Sequence, residues 1–325
     1  MKRYQWLANA IVILLAASPV LAQKGTDGGG HADAKAGIAQ QAPPISWNTK
    51  MPWGPMEAAV RTRWAGLPLT AEKVEPFKVF DNVYYVGVQV VGAYIITTSE
   101  GLILIDATYA ETADTVLEGI RKLGFDPASI KYLIITHQHF DHFGGAGRIQ
   151  RVTHARVGMS AVDWEGVERQ QSGPQVGDQN LGLPLERDLI IKDGDTIKLG
   201  DTTLKFYVTP GHTPGSLAVE IPARAGGKTY RALSPCVGIN PSPDLTKPYI
   251  NSIERLKNMG PWDTLLPNHA FLMPRDSAIA PSDFIFQDLK PVKESYPGVI
   301  GPERINQWFD EILMVAKEKL ASEEK

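Results

Sequence analysis

Residues 132–142 read YLIITHQHFDH, an apolar strand-like run that leads directly into three histidines and an aspartate. Side chains two apart on an extended chain point the same way, so His137 and His139 can offer two imidazoles to one ion. If the chain then turns into a helix at Asp141, as the two glycines that follow permit, Asp141 and His142 reach a second position beside the first. Imidazole and carboxylate groups are ligands that Zn²⁺ accepts. The stretch therefore predicts half of a two-metal site.

Two further histidines are placed in a similar way after strand-like runs. His212 lies in the Gly/Pro turn of residues 211–215, which follows the alternating run 204–209. His269 follows the short apolar run 265–268. Because strand ends from distant parts of a chain can meet at one edge of a sheet, we expect these two histidines to complete the metal shells.

The alternative for residues 137–142 is a polar loop that is merely rich in histidine. We disfavour it because crowding three imidazoles and a carboxylate together without a metal to pair them is costly. Of the seven histidines in the chain, only His31 and His154 do not follow strand-like runs. His31 lies in a low-complexity stretch and His154 is expected at the surface or in packing, so neither is predicted as a ligand.

At this point the chain resembles the metallo-β-lactamase superfamily, whose signature is His-x-His-x-Asp-His followed by distant Gly-His-Thr and His positions. The resemblance covers about residues 78–275. It implies two Zn²⁺ ions as cofactors and a three-residue shell for each. The ligand set is similar to that of class B β-lactamases of the third subclass, whose second ion has an Asp-His-His shell. The resemblance implies that the first ion is held by His137, His139 and His212 and the second by Asp141, His142 and His269.

One departure separates branches of this superfamily. Its thioesterases and lactonases usually carry an aspartate between the last two histidines that bridges both ions. Here the strand-like residues 229–233 run into residues 234–240, SPCVGIN, which contain no carboxylate, and Asp244 comes several residues later. The absence favours the β-lactamase-like branch.

The same segment carries the predicted substrate-binding residues Ser234, Cys236 and Asn240, which could hydrogen-bond a substrate carboxylate. Cys236 is the only cysteine in the chain. It stands beside the expected second ion, where the third subclass usually has serine and other class B groups have a zinc-binding cysteine. Since Asp141, His142 and His269 already supply three ligands, we expect Cys236 to line the pocket without coordinating zinc. A small buried apolar residue is the alternative.

The chemistry that the resemblance implies is hydrolysis by a zinc-bound hydroxide, because two Zn²⁺ ions lower the pKa of a shared water toward about 7. Asp141 is the expected catalytic residue, since the free oxygen of a ligating carboxylate can orient that hydroxide. The leading hypothesis is a β-lactamase acting on a small β-lactam or related cyclic amide or ester. A zinc hydrolase of another ester, lactone or amide is the alternative, and a diiron oxidoreductase is disfavoured because the chain has no room for a flavodoxin-like domain.

The amino terminus predicts export. Residues 1–22 combine two basic residues, an apolar stretch and a small-residue cleavage site, so they are interpreted as a signal peptide and the mature chain should begin at Gln23. An uncleaved membrane anchor is the alternative. Residues 23–47 are predicted to form a flexible leader and residues 48–325 a catalytic domain. We therefore predict a periplasmic or secreted bacterial protein with no membrane contact after cleavage.

Composition excludes one class of partner. Lys and Arg number 33 and Asp and Glu 36, for a formal net charge of -3, and no basic run lies beyond the signal, so nucleic-acid binding has no electrostatic footprint. Nothing in the sequence specifies an oligomeric state. Residues 160–187 are long enough to overhang the site as a mobile wall.

Periodicity and the resemblance together predict an α/β fold of the αββα four-layer sandwich type, with the site at one edge between two sheets. A helix is predicted around Val116 and Ile120 and an amphipathic one over residues 305–320 that packs on a sheet. Strands are predicted near residues 83–86, 93–97, 102–106, 132–136, 196–199, 203–209, 216–221 and 229–233.

Overall fold

The computed structural model describes residues 73–88, 91–174, 179–236, 238–240, 242–269 and 301–325. All of these residues belong to one compact unit. The predicted signal peptide, the leader and His31 lie outside the described residues. Within the described part of the chain, every helix is too short or too polar to cross a bilayer.

Seven strands form the first sheet, and they lie side by side in the order in which they occur in the chain. The first four pair antiparallel, and the fourth to the seventh pair parallel. Parallel neighbours need crossover connections, which are helical here. The strands are β1 (Phe77–Phe80), β2 (Val83–Tyr85), β3 (Tyr94–Thr98), β4 (Gly101–Ile105), β5 (Ile130–Ile134), β6 (Arg156–Ser160) and β7 (Leu189–Ile191).

The crossover helices of the first sheet lie between successive parallel strands. Helix α1 (Ala113–Lys122) joins β4 to β5, and α2 (Phe140–Phe143) with α3 (Ala146–Thr153) joins β5 to β6. Helix α4 (Ala161–Ser172) follows β6 directly. The first part of the segment 160–187, which is predicted to overhang the site as a mobile wall, is thus a helix, and the wall itself stays a prediction. Ser160 caps α4 by accepting a hydrogen bond from the Asp163 amide, and this local signal begins the helix.

Five strands form the second sheet in the order β12-β11-β10-β9-β8. All neighbours pair antiparallel except β11 and β12, which are parallel. Helix α5 (Thr246–Asn258) precedes the last strand, and α6 (Pro302–Glu323) ends the chain. The strands are β8 (Thr196–Leu199), β9 (Thr202–Val208), β10 (Leu217–Ala225), β11 (Lys228–Ser234) and β12 (Thr264–Leu265).

Burial of β4 explains why its sequence is an unbroken apolar run. Ile103 and Ile105 pack in a core shared with residues of the second sheet such as Phe206. Leu102 and Leu104 point to the opposite face and pack with the helices that cover the first sheet. A strand buried on both faces has no solvent side to carry polar residues, so alternation is lost.

The C-terminal helix α6 packs as its amphipathic pattern predicted. Its buried residues join the core of the second sheet, and the helix lies against α5 and β12. The predicted mixed α/β fold with two sheets is thereby confirmed. The predicted strands are also present, and β12 lies at the start of the short apolar run before His269, whereas β1, β6 and β7 were not predicted because they are short or carry too few apolar residues for a clear period.

Candidate metal centre

The loop after β5 holds its histidines through one strand end and one short helix. Thr136 accepts a hydrogen bond through its carbonyl from the Leu217 amide at 2.8 Å, which ties the first sheet to the second just before His137. The chain then turns at Phe140 into α2, as predicted, and His142 donates from its backbone amide to the His139 carbonyl at 2.9 Å. This turn swings His142 away from the extended pair that precedes it.

The structure brings His137, His139 and His212 together as a first set of possible ligands. Their ligating atoms all lie within 4.8 Å of one another, and the Nε2 atoms of His137 and His212 are 3.1 Å apart. His212 lies in the turn between β9 and β10. Gly211 before it has φ +151°, and a Cβ there would lie 2.5 Å from the Cα of Tyr249, so only glycine allows this approach.

Asp141, His142 and His269 form the second set, again with all ligating atoms within 4.8 Å. The Nε2 atoms of His142 and His269 are 2.9 Å apart. Oδ2 of Asp141 lies 3.5 Å from Nε2 of His142 and 3.3 Å from Nε2 of His269. The segment that carries His269 is held by the first sheet, because Gly92 donates to the Asn268 carbonyl at 2.8 Å and the Tyr94 hydroxyl to the Pro267 carbonyl at 2.9 Å.

The two sets are neighbours. The ring centroids of His137 in the first set and His142 in the second are 4.1 Å apart. The six predicted ligands thus form one continuous cluster, and both sets draw on the loop after β5.

In three of the histidines, Nδ1 lies within hydrogen-bond distance of an acceptor. These contacts show whether the opposite nitrogen, Nε2, is free to bind a metal. Nδ1 of His142 donates to Asp106 at 2.9 Å, and Nδ1 of His212 donates to the Gly238 carbonyl at 2.8 Å. Nδ1 of His137 lies 3.1 Å from the Thr136 hydroxyl oxygen, which can accept from it. Each ring is then the tautomer with an unprotonated Nε2, and these lone pairs face one another. Such a donor set repels itself without a cation and fits zinc.

Asp106 is a carboxylate in contact with the cluster that sequence reasoning missed. It is fully buried with φ 58°, a left-handed conformation that aspartate tolerates better than most residues. Its carboxylate accepts from the Thr136 amide at 2.7 Å, from the Thr136 hydroxyl at 2.9 Å and from His142 at 2.9 Å. It therefore orients one ligand of the second set directly and one ligand of the first set through Thr136. Its only mark in the sequence is a carboxylate directly after the buried strand β4, which has an ordinary local explanation.

Electrostatics differ among the ligands of the metal-free cluster. Burial and the neighbouring imidazoles hold the pKa values of His137 and His212 well below their usual range. Burial lowers the pKa of His142, but Asp141 and Asp106 outweigh it and leave the pKa above its usual value. Burial raises the pKa of Asp141, yet His142 and His269 hold it well below its usual range. Asp141 is therefore a carboxylate at neutral pH, as a metal ligand must be.

Cys236 contacts the first set through His137, and its expected place beside the second set stays a prediction. Its buried Sγ lies 3.5 Å from Nδ1 of His137, and the thiol belongs to neither group of ligating atoms. Burial raises the pKa of the thiol well above its usual range, so the protonated form prevails. Cys236 therefore lies behind the ring of His137, on its Nδ1 side, and not among the atoms that could bind the metal.

Cys236→Ser is therefore expected to keep two zinc ions and most of the activity, because a hydroxyl can occupy the same place beside His137. Zinc content and kcat/KM measure this. Loss of one zinc ion would contradict the expectation. So would a thiolate-to-metal charge-transfer band in the cobalt-substituted parent protein.

The other two predicted substrate-binding residues are engaged with the protein or enclosed by it. Ser234 is 1% exposed, and its hydroxyl has no hydrogen-bond partner among the described residues. Asn240 donates from Nδ2 to the His212 carbonyl at 2.7 Å, so its amide holds the turn that carries a first-set ligand. Their role in substrate binding stays a prediction.

Parts of this chain are similar in sequence to known proteins. The sequence profile of the metallo-beta-lactamase superfamily matches residues 86–224, which contain every residue of both sets except His269. The hydroxyacylglutathione hydrolase of Maricaulis maris is 34% identical over 110 residues, which are 34% of this chain and 35% of that protein. The N-acyl homoserine lactonase AttM of Rhizobium radiobacter is 34% identical over 111 residues, which are 33% of this chain and 42% of that protein. The chain thus spans less than half the length of these curated relatives.

Solved structures are similar over a larger share of the chain, and BJP-1 is one of them. BJP-1, a subclass B3 metallo-beta-lactamase of Bradyrhizobium japonicum, is 26% identical with a TM-score of 0.67. The likeness covers 78% of this chain and 98% of that one.

Proposed function

We propose that this chain, whose residues 86–224 match the metallo-beta-lactamase superfamily, is a secreted zinc-dependent hydrolase that holds two zinc ions and opens β-lactam rings. The observation that carries the proposal is the second set, Asp141, His142 and His269, in which Asp141 is the only carboxylate. The segment after β11 contributes no carboxylate that could join both sets. Likeness to BJP-1 over 98% of its length supports the same reading.

The residues that would hold the ions are the two sets already described. When bound there, zinc supplies a water whose pKa is lowered toward about 7 and polarises the carbonyl under attack. Asp141 touches its set through Oδ2, so Oδ1 can accept a hydrogen bond from the attacking water and orient it. Asp106 keeps the Nε2 of His142 unprotonated, and the Gly238 carbonyl does the same for His212. No serine or cysteine nucleophile is required, and the buried protonated Cys236 is unsuited to be one.

Hydrolysis of an acyl homoserine lactone is the second candidate function. The observation in its favour is the 34% identity to AttM over the central part of the chain. The missing bridging carboxylate counts against it, since that group is the feature expected of the lactonase branch.

One set of assays decides between the two. The exported protein, whose first residue should be Gln23, is loaded with zinc and assayed against a penicillin, a cephalosporin, a carbapenem and an N-acyl homoserine lactone. We expect two zinc ions per chain, and for at least one β-lactam a kcat/KM that exceeds that for the lactone by more than about tenfold. A preparation of His139→Ala made in parallel reports any contaminating β-lactamase.

Lactone hydrolysis that outruns every β-lactam by a similar factor would move the assignment to the second candidate. A single zinc ion at saturating zinc would contradict the second set.

A further inference from the structure

Asp163 is a buried carboxylate that neither metal set uses. It lies in the first turn of α4, its side chain is fully buried, and its own amide donates to Ser160. The carboxylate faces away from solvent toward the loops that carry the first set of ligands.

Three hydrogen bonds join this carboxylate to those loops. Oδ2 accepts from the Gln138 amide at 3.0 Å and from the Thr213 hydroxyl at 2.6 Å, and Oδ1 accepts from the Gly215 amide at 2.9 Å. Gln138 lies between His137 and His139, and Thr213 directly follows His212. One side chain therefore connects the loop after β5 in the first sheet with the turn after β9 in the second.

Close packing fixes both loops against α4. A Cβ on Gly215 would lie 2.7 Å from Oδ1 of Asp163, so the turn reaches the carboxylate only because residue 215 is glycine. On the other side, a Cβ on Gly166 would overlap the Gln138 side chain at 1.1 Å, and Gln170 donates to the Gln138 carbonyl at 2.9 Å. The loops have little freedom to move apart while these contacts hold.

The donors to Asp163 are all neutral. Burial raises the pKa of Asp163 to about 6 despite the three hydrogen bonds. The folded protein therefore disfavours the charged form of this side chain, and no cation pairs with it among these contacts. A buried carboxylate without a cation is a poor device for stability. A role in holding the two loops together explains this buried carboxylate better than a role in stability, because its oxygens accept hydrogen bonds from both loops.

We propose that Asp163 is a positioning residue that sets the distance between the His137/His139 loop and the His212 turn, and through it the zinc affinity of the first set. The inference rests on the proposed ligand function of that set. The second set depends on other contacts, namely Asp106 behind His142 and the Gly92 and Tyr94 contacts behind His269. Removal of the Asp163 acceptors should therefore weaken one site and spare the other.

The test isolates each site before changing Asp163. His142→Ala leaves only the first set complete, and His139→Ala leaves only the second. Zinc dissociation constants are measured by chelator competition in each background with and without Asp163→Asn, which keeps the shape but turns one acceptor into a donor. We expect a loss of about 10–100-fold in the first background, as for other groups that hold ligands. In the second background the constant should stay within about twofold, the limit for independent sites.

Two further variants serve as controls. Asp188→Asn alters a carboxylate that accepts from the Val157 amide at 2.8 Å, outside both metal loops, and should leave both constants unchanged. Thr213→Val removes the hydroxyl that donates to Asp163 and should weaken zinc binding at the first site alone. Thr213→Ser keeps a hydroxyl and should bind zinc at that site as the parent does. These Thr213 variants also decide the matter if Asp163→Asn does not fold.

Equal weakening of both sites, with a lower unfolding temperature of the metal-free protein, would make Asp163 a general structural residue and overturn the proposal. An unchanged first-site constant in a folded Asp163→Asn or Thr213→Val protein would also overturn it while leaving the proposed function intact. Two zinc ions retained by both His139→Ala and His142→Ala would instead refute the ligand assignment itself.

Discussion

His139→Ala is expected to abolish hydrolysis rather than weaken substrate binding. The His139 ring lies 4.8 Å from that of His137 and 4.6 Å from that of His212, centroid to centroid, so its loss leaves two imidazoles where three converge. A direct ligand should matter more than the groups behind it, whose removal costs about 10–100-fold. We therefore expect kcat/KM to fall by more than this, mainly through kcat.

The matched control is His154→Asn. His154 is an exposed histidine outside both sets that ends α3 with φ 54°, a conformation in which asparagine is well tolerated. This variant should keep parental kinetics and zinc content. If His139→Ala retained activity within about tenfold of the parent, the first set could not be the source of activated water.

Asp106→Asn should have the next largest effect, because it reverses the hydrogen bonding of a metal ligand. Oδ1 accepts from the Thr136 amide, so the asparagine oxygen is best placed there and its NH₂ group then faces His142. To meet that donor, Nδ1 of His142 must become the acceptor and Nε2 must carry the proton. A protonated Nε2 cannot bind zinc, so we expect the second site to lose about 10–100-fold in affinity, with a matching loss of hydrolysis at limiting zinc.

Chelator competition and the zinc dependence of kcat/KM measure this effect. Asp114→Asn is the control, since Asp114 is an exposed carboxylate that pairs with Arg148 and belongs to neither set. Excess zinc should partly restore the Asp106→Asn enzyme. Unchanged affinity at both sites would show that Asp106 does not set the tautomer of His142.

Most of the candidate ligands could be predicted from their spacing in the sequence. His137, His139, Asp141 and His142 lie within six residues, so the geometry of one strand end and one helical turn decides where they point, and both features could be predicted. His212 and His269 were recognisable because each follows a strand-like run. The apolar runs likewise predicted the central strands and the C-terminal helix, since burial on one or both faces leaves a period in the sequence.

The groups behind the ligands could not be predicted in the same way. Asp106 meets His142 across 36 residues, and Asp163 meets Gln138 across 25 residues and Thr213 across 50. An aspartate after a strand or in the first turn of a helix has ordinary local explanations, so nothing in its neighbourhood reveals such a contact. The contact between Cys236 and His137 likewise spans 99 residues and was not predicted.

The sequence by itself therefore determined which side chains can bind metal and that each follows a strand-like run, because these properties follow from residue type and short-range periodicity, whereas the resemblance implied that they meet. Only the tertiary structure decided how those ligands are held. Two sheets meet at one edge, and there the carboxylates Asp106 and Asp163 become buried acceptors for donors from distant loops. Burial and partner geometry then set the histidine tautomers and the separation of the loops, and both quantities depend on contacts that sequence spacing does not encode.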